Sequence, residues 1–475
     1  MKPIVLLGLV LAAKHSSALH LPVQRVQTRG TSGSTPMSKS SGGTSLENLE
    51  NNSYVANFTI GEYCTLFAFS CCCGFTLALD TGSSDLWFAP GHNDAAFADA
   101  KIVESRLHLN LSYGTESVDG YVAQLPSLSF AGFNIANQSY LSVAKQDALF
   151  QNLEKRLPHF QGLAGLGFDT LSDINVAVVE ATNKTWERSL VSNIFLADPS
   201  TPNHIAFFLN RDSNLNNTDT GYFDIGTYAP GYEAVANEQK HEVYPGFDNG
   251  VLQWNMLITG LKINGQDRKL KSGVKVDKAY GLTNIPPADS ISVLFDTGTS
   301  AAKIPPEAYK TLYESTGGVP IDGTSYYAVP CLAEATVECT FGNQTVFIHP
   351  LDLTRVETDS FGGQNFTYCI SEYKAGRWEG DSDAIFGDAF VRNIYAVYNY
   401  GDFFKTESGF KIGSPFIQFL PLTNATATSA DFKKSRAQAL ASLPPEIDVK
   451  TINNPHPKPA SNSLSGNSGS GSVNH

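Results

Sequence analysis

The sequence predicts a mainly β chain built from two pseudo-symmetric lobes, and two echoed patterns carry that prediction. Phe75-Thr76-Leu77-Ala78-Leu79-Asp80-Thr81-Gly82-Ser83-Ser84-Asp85-Leu86-Trp87 returns as Ile291-Ser292-Val293-Leu294-Phe295-Asp296-Thr297-Gly298-Thr299-Ser300. Each opens with a short apolar run that reads as a buried strand, and each strand ends in an Asp-Thr-Gly turn. The second echo pairs Leu163-Ala164-Gly165-Leu166-Gly167-Phe168 with Ala384-Ile385-Phe386-Gly387-Asp388-Ala389-Phe390, which begin 83 and 88 residues after their respective acids. Similar motifs at similar intervals indicate two copies of one folding unit.

A carboxylate held at a buried strand end loses several kcal/mol of hydration, so a single one would serve as a hydrogen-bonding residue. Two in matching settings can face each other. At about 4 Å and an effective dielectric of about 20, two anions repel by roughly 4 kcal/mol, or about three pKa units. Asp80 and Asp296 would then keep one proton between them over a wide acidic range. One could act as general base on a water while the other, still protonated, acts as general acid on a carbonyl oxygen.

The duplicated Asp-Thr-Gly-[Ser/Thr]-Ser motif resembles the signature of the pepsin-like aspartic proteases of the secreted fungal type. The resemblance covers roughly Ser53 to Leu420. It implies a bilobal acid-protease fold with the cleft between the lobes, Asp80 and Asp296 at its floor, and extended peptide bound there by strand addition. It also implies that Thr81 and Thr297 hydrogen-bond the two turns together and that Ser83 and Thr299 hydrogen-bond the outer carboxylate oxygens. Gly82 and Gly298 would let substrate backbone and water approach. No metal or organic cofactor is implied, and no Cys/His spacing suggests a zinc site.

Length and composition agree with a secreted globular protein. At 475 residues, with 42% hydrophobic and 11% aromatic content, the chain can bury more than one core. A net charge of −13 and the lack of a basic run or nucleotide-binding glycine loop argue against nucleic acid. Lys2, the apolar stretch Pro3 to Ala13 and Ser16-Ser17-Ala18 read as a secretory signal over 1–18, too short to cross a bilayer. No membrane anchor follows, and a monomer is expected. Nine Asn-x-Ser/Thr sequons, at Asn51, Asn57, Asn110, Asn137, Asn183, Asn216, Asn343, Asn365 and Asn424, fit a glycoprotein on that route.

Residues 19–50 are polar and carry Arg25, Arg29 and Lys39, as a disordered arm or a basic propeptide over an acidic cleft would. The N-terminal lobe is assigned to 51–230 and the C-terminal lobe to 231–421, with the seam near Thr227 to Gly231. Asn52 to Gly61 alternates as a strand should. Between it and the first acid-bearing strand, residues 62–74 hold four of the seven cysteines and lack turn chemistry and the family's Pro-Pro-Gln turn. That segment reads as foreign to the coding sequence, a retained intron or misjoined exon; a secreted tryptic peptide containing Cys71 would refute this.

Leu107 to Val122 alternates on both sides of a glycine-containing turn, a β-hairpin. It resembles the family's flap, which implies substrate contact through Tyr113, Gly114 and Thr115, with Trp87 as the hydrogen-bond partner of Tyr113. Glu116 at its tip points to a preference for basic side chains near the cleavage point. Trp254 reads as a core aromatic. Cys331 and Cys369 match the family's second-lobe disulfide, while Cys339 is left buried and free, competing for the bridge, or paired with a cysteine of the 62–74 segment. Residues 422–475, rich in Ala, Ser, Asn, Pro and Gly, read as a disordered tail without the terminal apolar stretch of a lipid-anchor signal.

The expected function is endoproteolysis of protein or peptide substrates at acidic pH, with large apolar residues flanking the scissile bond. An inactive peptide-binding protein on the same scaffold is the alternative if the Cys-rich segment is real.

Overall fold

A computed structural model describes residues 41–49, 53–61, 74–91, 94–102, 106–114, 116–182, 188–211, 221–248, 250–361, 363–376, 380–406, 409–454 and 456–460. The signal segment, residues 62–73 of the Cys-rich segment, Thr115, the sequons at Asn51, Asn183 and Asn216, and the tail beyond 460 lie outside them.

Strands dominate, because β-branched and aromatic residues recur at alternating positions and pack on a half-buried surface. Fourteen strands form one sheet that crosses the molecule. Its first-half portion includes Ser53–Ile60, Gly74–Asp80, Gly162–Gly165, Leu86–Phe88 and the long hairpin Glu116–Phe130 with Phe133–Gln146. It joins the second half where His204–Phe208 pairs antiparallel with Ile394–Asn399, matching Phe207 to Ala396. A five-stranded sheet in the second half, from Asn255–Ile258 through Ile291–Phe295, Ala384–Phe386 and Ala302–Ile304 to Lys374–Ala375, repeats the first half's local arrangement.

One apolar core continues through both halves. Trp254 is fully buried against Phe168, with ring centroids 4.4 Å apart, and its indole N–H donates to the Leu166 carbonyl at 3.2 Å. The Tyr400 hydroxyl donates to the same carbonyl at 2.6 Å. A second-half tryptophan and tyrosine thus fasten the first half's glycine strand.

Two boundary expectations need correction. The polar arm does not extend to residue 50: Gly42–Leu49 is a strand paired with Gly221–Ile225 on one side and Ser53–Ile60 on the other, with Leu46 fully buried. Backbone pairing on both edges holds a sequence whose side chains alone carry little strand signal. Likewise, the tail is not disordered from 422. Thr428–Leu440 is a helix that buries Phe432 and Arg436, and Ile447, Val449 and Ile452 join an apolar cluster with Phe366, Tyr368 and Ile370.

Cys331 and Cys369 are disulfide-bonded, and this C-terminal segment packs on the bridge. Arg436 Nη1 approaches Cys369 Sγ at 3.0 Å, and the Cys331 backbone N–H donates to Glu446 at 2.7 Å. Among the described residues Cys339 is buried and has no disulfide partner, and burial pushes its thiol up to about 12. Gly74, assigned above to the Cys-rich segment, instead opens the strand that carries the first acid and pairs with Thr59.

Candidate active site

Each acid is delivered by the same strand arrangement. Gly74–Asp80 runs antiparallel to Ser53–Ile60 and parallel to Gly162–Gly165. Ile291–Phe295 runs antiparallel to Asn255–Ile258 and parallel to Ala384–Phe386. The chain must turn sharply at both strand ends, and the two turns meet.

Four buried hydrogen bonds join them reciprocally. Thr81 Oγ1 donates to the Phe295 carbonyl at 2.9 Å and accepts from the Thr297 N–H at 3.0 Å. Thr297 Oγ1 donates to the Leu79 carbonyl at 2.7 Å and accepts from the Thr81 N–H at 3.1 Å. A hydroxyl that is donor and acceptor at once is the side chain this geometry requires.

The carboxylates are held just as symmetrically. Gly82 N–H donates to Asp80 Oδ1 at 2.8 Å and Ser83 Oγ to Oδ2 at 2.5 Å. Gly298 N–H donates to Asp296 Oδ1 at 2.8 Å and Thr299 Oγ1 to Oδ2 at 2.7 Å. Both acids are over nine-tenths buried. The glycines explain how they come together: a Cβ on Gly82 would lie 2.5 Å from Asp296 Oδ1, and one on Gly298 only 2.2 Å from Asp80 Oδ1. Each carboxylate occupies the space that the opposite turn's missing side chain leaves open. Burial first, then repulsion from Asp296, hold the Asp80 carboxyl well above the ordinary carboxylate range, against the bonds donated by Ser83 and Gly82.

Beneath the turns lie the echoed glycine strands. Leu166 N–H donates to the Asp80 carbonyl at 2.7 Å and Asp296 N–H to the Phe386 carbonyl at 3.0 Å. A Cβ on Gly387 would fall 2.0 Å from the Thr299 carbonyl oxygen, so only glycine permits that crossing.

Above them, His108–Tyr113 and Glu116–Phe130 form a hairpin closed by the Tyr113–Glu116 pair, with Gly114 at φ +63° in the turn. Tyr113 is half-buried; its ring lies 6.3 Å from Trp87 and 5.7 Å from Phe150. Burial, then the charges of Asp85 and Asp80, push its phenol up, and the nearby Trp87 indole acts in the opposite sense. Among the described residues the Trp87 N–H makes no hydrogen bond of ordinary geometry, so the two side chains meet chiefly through their rings.

Three further residues border the site without having been singled out. Asp85 accepts from Ser172 Oγ at 2.6 Å and from the Asp173 and Ile174 N–H groups at the start of the Asp173–Thr182 helix; burial nevertheless pushes it up to about 7. Asp388 has no exposed surface and neither carboxylate oxygen has a hydrogen-bond partner among the described residues. Burial holds it well above the usual range, with Arg392 opposing and Asp296 and Asp80 reinforcing the shift. Lys303 stands seven residues after Asp296, as Trp87 does after Asp80. Burial draws its ammonium down while Asp296 pulls it back up. Among the described residues no group of three or more His, Cys, Asp or Glu could hold a metal ion.

Comparison with known proteins agrees with this geometry. Residues 73–404 match the family model for eukaryotic aspartyl protease. The chain is 25% identical to cathepsin E of Mus musculus over 361 residues, covering 69% of this chain and 75% of that protein. It is 25% identical to rhizopuspepsin-3 of Rhizopus niveus over 339 residues, covering 69% and 73%. With major aspartyl peptidase 1 of Cryptococcus neoformans it shares 22% identity over 356 residues, covering 69% and 64%.

Proposed function

The chain belongs to the eukaryotic aspartyl protease family and is an aspartic endopeptidase, and from that premise we propose that Asp80 and Asp296 are its catalytic dyad. One carboxyl stays protonated while the other is ionised. The ionised member takes a proton from a water as its oxygen attacks the scissile carbonyl, and the protonated member gives its proton to the carbonyl oxygen. The tetrahedral species then collapses to acid and amine, with no covalent acyl-enzyme. Ser83 and Thr299 orient the carboxylates, Thr81 and Thr297 set the distance between turns, and Gly82, Ser83, Tyr113, Gly114, Thr115, Gly298 and Thr299 contact the substrate, with Trp87 supporting Tyr113.

The observation that supports this most directly is the reciprocal fit of each carboxylate against the opposing glycine. The half-buried ring of Tyr113, packed against Phe150 and Trp87, supports a preference for large hydrophobic residues around the scissile bond. Asp80→Asn and Asp296→Asn are each expected to abolish cleavage of an unfolded protein in acid; near-full activity in either removes the assignment. The rate is expected to fall towards neutrality as the shared proton is lost.

We also infer passage through the secretory pathway, the mature protein acting as a soluble monomer. Its support is the disulfide and the exposure of all six sequon asparagines among the described residues, Asn57, Asn110, Asn137, Asn343, Asn365 and Asn424. No helix among the described residues is long and apolar enough to cross a membrane. A glycosidase-sensitive band in culture medium is the expected result.

A further inference from the structure

In a chain of net charge −13, Arg268, Lys269, Lys271, Lys275 and Lys278 place five cations within eleven residues against a single acid, Asp277. The four lysines are exposed, and none takes part in an ion pair among the described residues. The same loop carries Tyr280, Ile285 and Val276, at 60%, 52% and 47% exposure the three most exposed large apolar side chains among the described residues.

This is a built projection. Leu270 and Leu282 point inward at its two ends. Asp277 and Leu282 pair across it, the Asp248 N–H donates to the Gly281 carbonyl at 2.8 Å, and Asn284 Nδ2 donates to the Pro245 carbonyl at 2.7 Å. The Gly273 N–H is tied to Asp383 at 2.5 Å. Backbone anchorage on both sides presents Tyr280 and Ile285 to solvent, where exposed apolar area is unfavourable unless something covers it.

We propose that residues 268–285 form a docking surface for an anionic lipid surface. Four exposed lysines on the same loop as an exposed aromatic and two exposed aliphatic side chains match such a surface on both counts. The ammonium groups reach the headgroups while Tyr280 and Ile285 enter the headgroup–acyl boundary. An acidic protein would satisfy the lysines but leave the apolar tip without a reason. The contact is peripheral and crosses nothing. It is independent of the dyad assignment, because it is read by binding alone.

The test is co-sedimentation of the full chain with phosphatidylcholine vesicles, with and without phosphatidylserine. The expected result is binding only to the phosphatidylserine vesicles, weakening as salt is raised. Tyr280→Ser with Ile285→Ser should reduce it about ten-fold with the lysines intact. Lys275→Gln and Lys278→Gln should each reduce it about five-fold. Cleavage of a soluble peptide by all these variants should match the parent, which reports that they fold. No binding to phosphatidylserine vesicles overturns the proposal. So does binding that the apolar double variant leaves unchanged, which would show that charge alone holds the chain to the vesicle and that the apolar side chains have no part in it.

Discussion

At the scale of single residues, Gly298 carries a tighter constraint than the acid it faces. A methyl there would sit 2.2 Å from Asp80 Oδ1 and force that carboxylate off its position. Gly298→Ala should therefore lower kcat about a hundred-fold, since displacements of about 1 Å have that effect, while thermal stability changes little. Steady-state kinetics on a peptide in acid, with a melting curve beside them, check both halves of this. The acids and glycines were legible because one chemical grammar is written twice, at Asp80 and at Asp296. Asp388 and Lys303 were not. The first sits inside a glycine motif, and the burial that sets its environment arises only on folding. The second shares with Trp87 only an offset of seven residues, a signal visible to anyone laying the two halves side by side.

At the scale of elements, the C-terminal helix departs most from its composition. Thr428–Leu440 contributes few apolar residues, so a compositional view dilutes the one that matters, Phe432, which is fully buried. Arg436 adds a hydrogen bond from Nη2 to the Thr354 carbonyl at 2.8 Å. Phe432→Ala should cost about 3–5 kcal/mol, read as a lowered urea midpoint with unchanged slope. Truncation after residue 421 should lower the midpoint at least as far; an unchanged midpoint would show the segment to be dispensable. The hairpin over the cleft was legible because alternation persists through both strands around Gly114. The strand Gly42–Leu49 was obscure because it is held by pairing rather than by apolar side chains.

At the scale of the whole molecule, buried acids tie stability to acidity. Asp388 has its folded pKa raised, with Arg392, Asp296, Asp80 and Glu372 as its charged surroundings. For a carboxyl raised above its unfolded value, unfolding releases a proton once pH exceeds the unfolded value of about 4. Its contribution is therefore intact in acid and declines as pH rises through the folded value. Asp388→Asn removes that dependence. The variant and its parent should melt together near pH 4, and the variant should melt higher near pH 7, as scanning calorimetry across that range would report. The reciprocal threonine bonds and glycine clearances carry one more consequence. Since neither turn completes its own carboxylate's surroundings, the molecule acts as a coincidence gate. Separately expressed fragments carrying one acid each should be inert, and recovered turnover on mixing them would count reassembled particles directly.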